Sequence, residues 1–286
     1  MNDMNENPST PHRRRIRDSA FKVVPQRRGD EGRRPIKVAA VTLLFWIVKV
    51  LTTGMGETTS DFFVRRFEPV VVVMIGAVLF LGALLLQLAT RRFVPWVYWL
   101  AVVMVSVFGT MAADVMHVGL GIPYIVSTVF FAVALAGVFA VWFASERTLS
   151  IHSIDTPRRE LFYWAAVLTT FALGTATGDL TATTLQLGYF ASGVLFAIVF
   201  AIPALAYWKL NVDPVVAFWF AYIVTRPLGA SFADWMGVSR ERGGLNWGTG
   251  PVSLVLAVLI AALVGYMSLV RDGRVTSDPQ TEPAAD

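Results

Sequence analysis

The sequence contains no cysteine, and its three histidines, His12, His117 and His152, lie far apart along the chain. The first absence excludes disulfides, thiolate metal sites and cysteine nucleophiles. The second argues against a histidine-rich metal cage. Charge is also scarce: 15% of the residues are Asp, Glu, Lys or Arg, against about 25% in an ordinary soluble domain. That scarcity argues against a soluble enzyme, a disordered chain and a nucleic-acid-binding module. No nucleotide-binding motif, nucleophile triad, paired histidine–carboxylate site or cofactor fingerprint can be read. The expectation is a protein that is not an enzyme and holds no cofactor.

What the chain has in abundance is apolar surface: 55% of its 286 residues are hydrophobic, and the mean hydropathy is +0.59. This points to an all-α integral membrane protein with the lipid bilayer as its main partner. The basic residues are unevenly spread. Ten of the 24 Lys and Arg fall within residues 1–37, among several prolines. Residues 1–36 therefore read as a disordered, basic cytoplasmic tail, suited to anionic headgroups or to fixing topology. A signal peptide is not expected, because the first apolar run is long enough to span and lacks a convincing cleavage site.

A helix needs about 20 apolar residues to cross a hydrocarbon core roughly 30 Å thick. Eight segments qualify: 37–60, 69–89, 94–116, 122–144, 161–183, 189–209, 213–236 and 251–270, with Pro- or Gly-rich joins between them. An even number returns both termini to one side. With the N-terminus inside, the inner loops carry Arg91, Arg92, Arg147, Arg158, Arg159 and Lys209, and the outer loops Arg65, Arg66, Arg240 and Arg242. The positive-inside rule then places both termini in the cytoplasm. Residues 145–160 read as a cytoplasmic linker between membrane parts 37–144 and 161–272, and 273–286 as a disordered tail.

The odd spans repeat one another. Trp46, Trp99, Trp164 and Trp219 each follow an aromatic residue and precede an aspartate, Asp61, Asp114, Asp179 or Asp234, by 15 positions. Gly56, Gly109, Gly174 and Gly229 each lie 5 positions before the same aspartates. Four in-register copies of three features indicate duplication of a two-helix hairpin. Such a unit returns to its starting side, so the copies are parallel repeats about an axis along the membrane normal, arranged as a ring or as two halves. These Trp…Gly…Asp hairpins, with Gly56-Glu57-Thr58-Thr59-Ser60-Asp61 and its counterparts ending at Asp179 and Asp234, resemble a family of bacterial inner-membrane proteins. That family is built from four copies of a membrane repeat of unassigned function. The resemblance covers about residues 37–272. It implies architecture and a bacterial inner-membrane location, and supplies no reaction or substrate.

Charge inside a bilayer costs at least about 2.5–3.5 kcal/mol per residue on insertion scales, so it persists where it meets partners or water. The intramembrane set is Lys49, Glu57, Asp61, Asp114, Asp179, Arg226 and Asp234, with His117 at the boundary. Positions four and eight before each aspartate share roughly its helical face. They are Glu57 and Thr53, Thr110 and Ser106, Thr175 and Phe171, and Ala230 and Arg226. Converging stripes of this kind would line a polar path. The five carboxylates would bind a cation or proton, with Asp61, Asp114, Asp179 and Asp234 as speculative metal ligands. Thr53, Ser106, Thr110 and Thr175 would add neutral oxygens, and Lys49 and Arg226 would act as charge partners. Hard oxygen ligands of net negative charge suit protons, alkali cations and Mg²⁺, Ca²⁺ or Mn²⁺. The expected function is secondary transport of a small cation coupled to protons. The alternatives are a cation channel with an aspartate ring, or a membrane scaffold or sensor.

Overall fold

The structure is a computed structural model that describes residues 36–276, apart from the side chains of Val118, Trp208 and 271–276. The expected tails, 1–36 and 273–286, fall almost wholly outside these residues, although the last helix continues to Thr276. The described residues form eight long α-helices: α1 Leu43–Val64, α2 Pro69–Ala89, α3 Pro95–Asp114, α4 Tyr124–Glu146, α5 Pro157–Asp179, α6 Gly188–Leu210, α7 Pro214–Gly237 and α8 Thr249–Thr276. Seven are long and apolar enough to cross a membrane. The eighth, α1, is of similar length but carries Lys49, Glu57 and Asp61.

Local chemistry sets the boundaries. Pro69, Pro95, Pro157 and Pro214 each open a helix, where a missing N–H costs nothing. The Asp213 carboxylate accepts from the backbone N–H groups of Val215 and Val216, capping α7. Arg147 and Asn211 adopt left-handed conformations that stop α4 and α6. Helices α3 and α5 each run on into one π-helical turn directly after their aspartates, Val115–Gly119 and Leu180–Thr184.

The odd helices form a closed ring in which α1 packs on α3, α3 on α5, α5 on α7 and α7 on α1. Each even helix packs outside the ring on the first helix of the following repeat: α2 on α3, α4 on α5, α6 on α7, and α8 back on α1. The repeats therefore interlock into a ring rather than two separate halves. Buried positions make up 56–61% of the spans in α3, α5 and α7 but only 17–28% in α2, α4, α6 and α8. The outward faces of the even helices display Val70, Met74, Val78, Val129, Val133, Leu254 and Val258 to the surroundings. So broad an apolar surface is not tolerated in water and matches a lipid environment.

The repeated glycines are the contact points of the ring. A Cβ on Gly56 would collide with Ser106, one on Gly109 with Phe171, one on Gly174 with Arg226 and one on Gly229 with Thr53. Each glycine thus meets the residue eight positions before the aspartate of the next repeat. Small residues at this point let the backbones approach closely.

The connection between α4 and α5 is packed rather than free. Ile151 and Ile154 are buried, the Trp219 indole donates to Leu149 O at 2.9 Å, and Arg159 pairs with Glu146 at 2.8 Å. A buried cluster closes this end of the molecule. The Lys37 ammonium meets Glu160 Oε2 at 2.7 Å, and the Gln87 amide donates to Glu160 Oε1 at 3.0 Å. The sequence reading attached no role to these three residues.

Candidate functional site: an acidic cavity above an arginine floor

Three layers stack along the inside of the ring. The lowest is aromatic. Trp99, Trp164 and Trp219 are buried against neighbouring rings as core residues. The Tyr98 and Tyr163 hydroxyls share a hydrogen bond of 2.6 Å. Lys49 was expected to pair with a carboxylate. Its buried ammonium instead sits 3.9 Å from the Phe171 ring centroid and 4.2 Å from that of Tyr222, without a hydrogen-bond partner among the described residues. Two aromatic faces give it a cation–π environment in place of an anion.

The middle layer is built around Arg226. Its guanidinium is fully buried and touches each of the other three odd helices. Nη1 donates to Thr53 O on α1 at 2.9 Å; Nη2 shares its two hydrogens among Glu57 Oε2 at 2.6 Å, Thr175 Oγ1 on α5 at 2.7 Å and Thr110 Oγ1 on α3. Glu57, Thr110 and Thr175 occupy the same repeat position, four before the aspartate. The fourth occupant is Ala230, on the helix that carries Arg226, where a small side chain leaves room for the guanidinium. Arg226 and Glu57 form an ion pair at 2.6 Å.

The four hydroxyls expected to supply neutral oxygens to a cation are used otherwise. Thr53 donates to Val50 O at 2.6 Å, and Ser106 donates to Thr52 O at 2.9 Å. Thr110 and Thr175 donate to Ser106 O and Phe171 O and accept from Arg226. None of the four lines the cavity above. The physical reason is that a guanidinium presents its donors in a fixed fork, and one arginine on the axis engages the acceptors of its layer through Nη1 and Nη2, while its buried Nε has no partner among the described residues.

The upper layer is open. Glu57, Asp61, Asp114, Asp179 and Asp234, one or more from every repeat, line a single cavity of about 460 Å³. Arg65, Tyr124, Tyr189 and Arg242 also line it, and the rest of its wall is largely apolar, with Val64, Pro69, Val73, Met111 and Val115. The Arg65 guanidinium pairs with Asp61 at 2.6 Å, and Arg242 donates to the Tyr189 hydroxyl at 2.6 Å. Asp114 receives only a long contact from Ser60 Oγ, 3.5 Å, and the Asp179 and Asp234 carboxylates accept no hydrogen bond from the described residues. Five carboxylates thus face three guanidiniums, one of them in the floor. Such an excess of anionic oxygen can hold hard cations or protons. Arg65 and Arg242 had served only as loop charges in the sequence reading, and Tyr124 and Tyr189 had carried no role. The shared offset of both tyrosines, ten residues after Asp114 and Asp179, is the signal that could have found them. Arg242 comes from the Gly-rich loop after α7, which is pinned by Leu245 N to Trp235 O and Trp247 N to Met236 O.

His117 is drawn inward instead of standing in a solvated loop. It is 8% exposed, and one ring nitrogen lies with a carboxylate oxygen of Asp114 and one of Asp179 in a group whose atoms are all within 4.8 Å of one another.

Compared with known sequences, the chain matches the model of a family described as Repeat of Unknown Function (DUF347) four times, at residues 44–93, 97–148, 162–212 and 217–272. The chain belongs to this family. Each matched copy takes in one odd and one even helix with its Trp, Gly and Asp, so the family's repeat is the structural hairpin. The family description assigns no activity. Searches of curated proteins and of solved structures gave no match.

Proposed function

We propose that this protein is a secondary transporter of a small cation, coupled to protons, that works through the acidic cavity. In this reading it resides in a bacterial inner membrane with eight spans and both termini cytoplasmic, the side on which its loop arginines concentrate. The cavity then opens on the outer side. The observation that carries the reading is the convergence of five carboxylates from all four repeats on one cavity whose aspartates are largely without protein partners. Ionisable groups inside a membrane domain mark ion pathways by default. Asp61, Asp114, Asp179 and Asp234, with Glu57 at the floor, would take cation and proton in turn. A permanently open channel fits less well, because Arg226 and the aromatic layer occupy the axis below the cavity. Passage would require those layers to part, as in a carrier.

The test is flux into proteoliposomes carrying the full chain, with Mn²⁺, Mg²⁺, Ca²⁺, Na⁺ or K⁺ outside and a pH dye inside. Saturable uptake of one cation with counter-movement of protons, abolished by Asp114→Asn with Asp179→Asn, supports the proposal. Linear, pH-independent flux supports the channel reading. Full function after neutralising the aspartates supports a scaffold or sensor.

A further inference from the structure

We infer that Asp114, His117 and Asp179 form a binding site for a divalent transition metal, so that the cation taken by the cavity is of the Mn²⁺ or Fe²⁺ class rather than an alkali ion or Mg²⁺. This inference rests on the cation-transport reading and sharpens it.

The argument begins with a proton count. The Ser127 hydroxyl has one hydrogen, and it donates to Tyr124 O at 3.1 Å. We take the tautomer in which the imidazole proton is on Nε2 and the Ser127 oxygen, 2.5 Å away, accepts it. In the neutral ring Nδ1 is left with a lone pair. That atom is buried and without a hydrogen-bond partner, on a side chain more than nine-tenths buried. A metal-bound histidine usually has its other ring nitrogen hydrogen-bonded, as Nε2 is here, which fixes the ring and its tautomer. Tyr124 packs edge-on to the imidazole, 4.3 Å between centroids, and holds it from another side.

Geometry agrees with this. One imidazole nitrogen and one oxygen each of Asp114 and Asp179 lie within 4.8 Å of one another, and Nδ1 makes no hydrogen bond to either carboxylate. Three donors bound at about 2.0–2.2 Å to one ion stand about 3–3.8 Å apart, so the trio closes on an ion by drawing together by about 1 Å at most. Two carboxylates from α3 and α5 and one imidazole from the π-helical turn after Asp114 converge here. At the equivalent place in the third repeat stands Ala182, which offers no ligand. A nitrogen donor narrows the class: imidazole suits first-row transition metals such as Fe²⁺ and Zn²⁺, and Mn²⁺, though at home among oxygen ligands, accepts one beside carboxylates, whereas Mg²⁺, Ca²⁺ and Na⁺ prefer all-oxygen sites. Two hard carboxylates and the absence of any thiolate favour the harder members of the first group.

The full chain in lipid nanodiscs is loaded with Mn²⁺ alone and read by pulsed electron paramagnetic resonance. The expected result is bound Mn²⁺ with ¹⁴N coupling from one imidazole. The coupling is lost in His117→Ala and kept in His152→Ala. Affinity for Mn²⁺ falls about 100-fold in His117→Ala, the upper end of what even an outer-shell partner contributes, while affinity for Mg²⁺ changes little. Should His117→Ala fail to fold, the coupling in the wild-type chain decides alone. Bound Mn²⁺ without ¹⁴N coupling, or displaced by an equal concentration of Mg²⁺, overturns the inference and leaves the cation reading standing. No binding of Mn²⁺, Mg²⁺, Ca²⁺ or Na⁺ overturns both.

Discussion

Two layers of the ring, four residues apart on the same helices, have opposite fates. In the lower one, Glu57, Thr110 and Thr175 are all held by Arg226. In the upper one, Asp114, Asp179 and Asp234 face a cavity, and only Asp61 has an arginine, the rim residue Arg65, against it. Buried polar groups in a low-dielectric interior are normally satisfied, and satisfied networks rigidify. The contrast sets a hydrogen-bonded layer against an open one within one polar stripe, with Glu57 at their boundary, held by Arg226 and lining the cavity. The arginine layer ties four helices together, and in the proposed function the aspartate layer receives the cation.

The largest effect is expected from breaking the lower layer. Arg226→Met leaves the Glu57 carboxylate buried and unpaired and should cost about 3–5 kcal/mol, read as loss of folded protein in thermal unfolding. Arg226→Lys should rescue little, because a point charge cannot reproduce the fork to three helices. Adding Glu57→Gln to Arg226→Met should recover a large part, since the two residues act as one unit. Next comes the upper layer. Asp114→Asn with Asp179→Asn should leave the resting fold at least as stable. It should also remove the protection given by bound cation, which is about 2.7 kcal/mol at a hundred times Kd.

Smaller effects sharpen the symmetry argument. Gly174→Ala pushes into the Arg226 side chain and should cost about 1–3 kcal/mol as over-packing. Gly82→Ala and Gly137→Ala, on outer helices with open space around them, should be silent in the same melts. The smallest effect belongs to the rim. The Arg65–Asp61 pair is half open to the surroundings, and such pairs contribute about 0–1 kcal/mol. Arg65→Ala should therefore leave stability nearly unchanged while tightening cation binding, because one positive charge leaves the mouth. Isothermal titration would detect this.

Much of the fold was legible because duplication writes itself into spacing. Fifteen residues from Trp to Asp and five from Gly to Asp, repeated four times, identified the inner helices and the positions that share a face. The convergence of Glu57, Asp61, Asp114, Asp179 and Asp234 followed from that register. Three things were hidden. Periodicity ranks positions by face but does not say which side chain reaches across the axis, so the capture of Thr110 and Thr175 by Arg226 could not be seen. The interlocking of each even helix with the next repeat is a choice of neighbour that hydropathy does not encode. The inward turn of His117 depends on a π-helical turn, a local widening with no strong sequence signal. Lys49 was misjudged for a related reason: a buried ammonium can be met by two aromatic faces as well as by a carboxylate.

The central claim is that the aspartate layer is a cation site and the arginine layer is its scaffold. The most direct measurement is unfolding of the full chain across a Mn²⁺ series at constant ionic strength, for the wild type and for Asp114→Asn with Asp179→Asn. The account predicts that wild-type stability climbs steadily with the logarithm of Mn²⁺ concentration, while the double variant starts no lower and stays flat. A double variant that starts far below the wild type, or gains as much from Mn²⁺ as the wild type does, would contradict it.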